Sequence, residues 1–74
     1  MSETLEKARR QFEEGEFKSA CGTLSELRNR VCSGDVEDAQ GLLDLALALR
    51  DQVKGKYQEE CEECIKSARS VLRL

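Results

Sequence analysis

Seven residues, Gly15-Glu16-Phe17-Lys18-Ser19-Ala20-Cys21, return forty positions later as Gly55-Lys56-Tyr57-Gln58-Glu59-Glu60-Cys61. At the same offset Leu5 meets Leu45, Ala8 meets Ala48, Arg10 meets Arg50 and Val31 meets Val71. A period of roughly 20 to 50 residues marks stacked supersecondary units whose usual work is to present a surface to another macromolecule. The repeat therefore constrains the architecture and the kind of activity together, and it points to binding rather than chemistry.

The punctuation of the repeat is glycine. With no proline, two phenylalanines, one tyrosine and no tryptophan, the composition favours helix and supplies few of the residues that strands prefer. Gly15, Gly34 and Gly55 each interrupt the pattern at a place suited to a left-handed helix end and a tight turn. The expectation is an all-α fold of four antiparallel helices near residues 2–14, 16–32, 35–53 and 56–73, forming two stacked hairpins in a single domain, residues 1–74. Asp35 is the expected N-cap of the third helix, and Glu3 and Glu6 complement the dipole of the first.

Advancing 100° per residue shows what each helix would bury. Leu5, Ala8 and Phe12 make a narrow stripe on the first, while Phe17, Ala20, Cys21, Leu24, Leu27, Val31 and Cys32 make a broader one on the second. On the fourth, Tyr57, Cys61, Cys64, Ile65, Ala68, Val71 and Leu72 fall within about 120°, with Glu59, Glu60, Glu62 and Glu63 turned outward. The third differs: Val36, Ala39, Leu42, Leu43, Leu45, Ala46, Leu47, Leu49 and Val53 spread over about 200°, more than one neighbour covers. It is therefore either central or an interface helix. Leu42, Leu45 and Leu49 recur on one side and are expected to stand open to a partner helix or peptide.

Ala8, Phe12, the turn Gly15-Glu16-Phe17, then Ala20, Leu24 and Leu27 resemble the small, aromatic, turn and packing positions of a tetratricopeptide repeat hairpin. Ala48, Gly55, Tyr57, Cys64 and Ala68 resemble a second, and Gly34-Asp35-Val36-Glu37-Asp38-Ala39 resembles the turn and helix start of the same motif in another register. The resemblance implies an inner groove lined by the first helix of each hairpin, here Ser2, Leu5, Arg9 and Phe12 with Leu42, Leu45, Leu49 and Gln52. Such grooves in that family hold peptides or other helices. The leucine lining would suit an apolar helix or a second copy of the chain.

Arg28 lies within the stripe of the second helix and Arg50 between Leu43 and Val53 on the third. Either their stems cover apolar surface while the guanidinium reaches an internal carboxylate such as Asp38 or Asp44, or they anchor an acidic partner. The cysteines carry a competing possibility. Cys61-Glu62-Glu63-Cys64 with Cys21 and Cys32 offers four thiolates to zinc or an iron–sulfur cluster, or to redox chemistry. Yet Cys21 and Cys32 are eleven residues apart, and the other pair sits mid-stripe inside a helix, where free cysteine behaves as a small apolar residue.

The absence of histidine from the sequence removes the usual acid–base partner of a nucleophile, and the single glycines form no phosphate cradle, so no enzyme and no cofactor are expected. Twelve basic against fifteen acidic residues give a net charge of −3 without a basic stripe, which argues against nucleic acid. No apolar run approaches a membrane span and Ser2 to Glu14 is too polar for a signal peptide, so a cytoplasmic protein is expected. The resulting expectation is a small interaction or assembly module, binding a protein partner or dimerising with itself through an apolar surface. A cysteine-based metal or redox sensor is the alternative.

Overall fold

The helix boundaries fall where the glycines break the apolar pattern. A computed structural model, which describes residues 2–31 and 34–74, places α1 at Glu3–Glu13, α2 at Phe17–Arg30, α3 at Val36–Arg50 and α4 at Lys56–Leu72. No strand occurs among the described residues, and no helix in them is long and apolar enough to cross a membrane. Cys32, expected at the end of the second helix, lies outside the described residues.

Local chemistry explains each end. Ser2 starts α1 by accepting the Leu5 N–H on its hydroxyl at 3.1 Å, the N-cap role that short polar side chains fill best. At the other end the Gly15 N–H reaches the Phe12 carbonyl (3.1 Å) and the Glu16 N–H reaches that of Gln11 (2.9 Å). This closed turn needs a left-handed residue, and Gly15 supplies it at φ +79°. Gly55 has a different role, as the N-cap of α4 at φ +65° and ψ −137°, a conformation that residues with side chains rarely adopt. Asp35 holds the N-cap position of α3, where its main-chain carbonyl takes the Ala39 N–H at 2.9 Å.

The helices form two hairpins, α1 with α2 and α3 with α4, laid side by side. First helix meets first helix and second meets second: α1 touches α3, and α2 packs along α4, while α2 also reaches α3. No contact joins α1 to α4 among the described residues. α3 is thus covered by all three of its neighbours, which is why its apolar arc is so wide. Its leucines, with Leu5, Leu24, Leu27 and the small residues Ala8, Ala20, Ala46 and Ala68, make one continuous core.

The forty-residue correspondence holds for the second helices and only in part for the first. Leu5 and Leu45 are both buried, but fully buried Ala8 has an exposed counterpart in Ala48. Residues 14–16 join α1 to α2 whereas residues 51–55 join α3 to α4. Within α3, Leu42, Ala46 and Leu49 are fully buried and Leu47 is 40% exposed.

One glycine is structural in a different sense. A Cβ built at Gly41, within α3, would collide with the Cδ2 of fully buried Leu5 and lie 3.1 Å from its Cδ1. A Cβ at Gly22, exposed within α2, would meet nothing. Two substitutions of the same kind should therefore have opposite signs. Gly22→Ala is expected to raise stability by about 0.5–1 kcal/mol through helix propensity. Gly41→Ala is expected to lower it by about 1–3 kcal/mol, because overpacking outweighs that gain. Urea titrations of the two variants measure both.

Candidate functional site

The apolar stripe expected to face a partner is closed within the chain. Leu5, Leu42 and Leu49 have no exposed surface and Leu45 has 8%, because α1, α2 and α4 together cover the arc that a docking helix would have used. Of the remaining residues assigned to the inner groove, Phe12 is half-buried with its ring 5.5 Å from that of Phe17 across the α1–α2 turn. Arg9 lies on the exposed side of α1. Leu45→Glu should therefore unfold the chain rather than spare its helices, since it drives an uncompensated carboxylate into the core. Loss of the 222 nm circular dichroism band would register it.

Arg28 and Arg50 do find carboxylates, though neither is the one expected from sequence. Arg28 Nη2 lies 3.0 Å from Glu60 Oε1, and Arg50 Nη1 lies 3.5 Å from Glu62 Oε1. Both partners are on α4, so the charges pin that helix to α2 and to α3. Glu60, read as outward-facing, is instead half-buried at the α2–α4 seam. The Arg50 pair is largely exposed and contributes little.

The same seam gathers the thiols. Cys21 and Cys61 bring their sulfurs to 3.7 Å, and Cys64 is fully buried one turn further along α4. Of the four-cysteine set, Cys32 lies outside the described residues, and no group of three or more metal-ligating side chains is arranged to hold an ion among the rest. Burial pushes the Cys61 thiol up to about 12, with the adjacent Cys21 adding to the effect. Burial and then Glu60 push Cys64 to about 12, with Arg28 pulling the other way. Cys21 is raised mainly by burial. A thiol at that value is ionised in about one molecule in 100,000 at pH 7, and the thiolate is the form that binds metals and attacks electrophiles.

These shifts have a defined consequence for stability. The folded chain keeps protons that the unfolded chain releases near pH 9, so the thiols' contribution is complete below pH 9 and is lost as the pH rises toward 12. Unfolding free energies from urea titration between pH 7 and 11.5 should fall on the alkaline side. Cys64→Ala should flatten that fall, leaving the part due to Cys61 and Cys21.

One open surface lies at the end of the bundle where the two repeated turns meet. A groove of about 680 Å³ runs between them, lined by Gly15, Glu16, Phe17, Lys18 and Ser19 from the first hairpin and by Gln52, Val53, Lys54 and Tyr57 from the second. Val53 is buried, Phe17 and Tyr57 are half-buried, and the lysines are exposed. Lys18 Nζ and Lys56 Nζ each stand 5.6 Å from the centroid of the Tyr57 ring, within cation–π range. A second cleft of about 290 Å³ shares Lys18 and Tyr57 and passes Cys21 and Ser25 toward Glu60. At this end the first-turn N–H groups of α2 and α4 stand beside the last carbonyls of α1 and α3, so the helix dipoles oppose one another.

Sequence reasoning missed Lys18, Val53, Lys54, Lys56 and Tyr57 as surface partners. The signal was present in the repeat itself: Phe17 and Tyr57 are equivalent positions, each beside a lysine, in a chain that is acidic elsewhere. The chain matches no protein-family model, no curated protein and no solved structure.

Proposed function

We propose that this chain is a small protein-interaction module that holds a short segment of a partner polypeptide in the groove between its two repeated turns. The observation that carries this reading is the groove itself: an opening of about 680 Å³ with Phe17, Val53 and Tyr57 as an apolar floor and a polar rim. That is the size and make-up of sites that enclose a few side chains. The leucines that a homodimer would have shared are in the core. Binding through paired helical hairpins keeps the tetratricopeptide-like character of the proposal, with the contact moved from the first helices to the turns. The thiol-based alternative is weaker, since Cys61 and Cys64 hold their protons far above neutrality.

A random peptide display library panned against the full chain tests the proposal, with selected peptides titrated into isotopically labelled protein. The expected result is that amide shifts move at Phe17, Lys18, Val53, Lys54 and Tyr57 and that Tyr57→Ala abolishes them. Shifts confined to the exposed edge of α3 around Val36 and Leu47, or a library that yields no binder, would overturn it.

A further inference from the structure

Resting on the groove reading above, we propose that the segment it accepts is acidic and carries one apolar side chain. Two of the chain's five lysines, Lys18 and Lys54, line this opening, and a third, Lys56, stands over the ring of Tyr57 at its edge. Among the described residues none of the three makes a salt bridge, whereas Arg28 and Arg50 are each matched to a carboxylate of α4. A chain with fifteen acidic residues thus leaves uncompensated cations at the mouth of its groove. Glu16 is the one carboxylate in the lining, and it belongs to the α1–α2 turn. On the α3–α4 side the lining carries Lys54 and no carboxylate.

The ammonium groups and the floor make separate demands on a ligand. Lysine is a mobile point charge without a fixed fork, so it accepts carboxylates at several positions along a segment rather than one bidentate geometry. The space between Phe17, Val53 and Tyr57 rewards a buried apolar group. The acidic ridge of a second copy, Glu59, Glu62 and Glu63 on α4, meets the first demand but brings no apolar side chain from those positions to meet the second. The occupant is therefore a segment of another protein, with acidic residues flanking a leucine-like side chain.

Four short labelled peptides distinguish the possibilities by fluorescence anisotropy on the full chain. One is rich in Asp and Glu with a central leucine, one is the same with serine for leucine, one is its Asn/Gln analogue with leucine, and one is its Lys/Arg analogue with leucine. The acidic leucine peptide is expected to bind about ten-fold more tightly than each of the others, and more weakly as salt is raised. Lys18→Glu with Lys54→Glu, both exposed positions, should remove about ten-fold of that affinity while leaving the circular dichroism spectrum unchanged. If the neutral leucine peptide binds as well as the acidic one and shifts the groove amides, the charge inference fails and the groove reading survives. If no peptide binds, both fail. Acidic-peptide binding that ignores the lysine reversals, or a salt-sensitive dimer that they dissolve, overturns the inference in favour of another site or a second copy.

Discussion

Leu5 lies against Gly41 with no room for a further methyl group, and this contact sets how closely the first helices of the two hairpins approach. Because α1 comes so near, α3 is enclosed on a third side, and leucines that α2 and α4 alone would leave wet become core. A chain of this length buries only roughly 60% of its unfolded surface. Covering the leucines at positions 42, 43, 45 and 49 of its most apolar helix is therefore a main source of its stability.

The seam between α2 and α4 solves a second problem, that of register. Apolar stripes slide on one another with little penalty, but a half-buried ion pair does not. Arg28 and Glu60 meet at 3.0 Å beside Cys64, with the Cys21–Cys61 sulfur contact at the next level. Arg28 Nε is buried without a hydrogen bond, so the pair contributes less to stability than its proximity implies. Its larger effect is on alignment: moving α4 by a turn would strand two charges. Held in this register, Phe17 and Tyr57 end up across the groove from each other.

The helices were legible from glycine placement and apolar periodicity because both act within a few residues. The width of the α3 arc was legible too, but not what covers it. An arc of leucines reads the same whether the cover is α1 of the same chain or a helix of another, and only the Leu5–Gly41 approach decides. The ion-pair partners were missed for a related reason: Arg28 reaches Glu60 across a helix interface, which spacing along the chain does not encode. Likewise Lys18 and Lys54 are far apart in sequence and become neighbours in one lining only when the two turns face each other.

The inequality of the two hairpins, with connections at residues 14–16 and 51–55, has a bearing on how the chain comes apart. In an open stack each unit offers its successor the face that it met in its predecessor, so stability is nearly a sum of unit and interface terms. Here the two units differ, since Ala8 is buried and its counterpart Ala48 is exposed. One core cluster runs through both hairpins. Neither half keeps it once the other leaves, so the chain should unfold as a single cooperative unit despite its internal repetition.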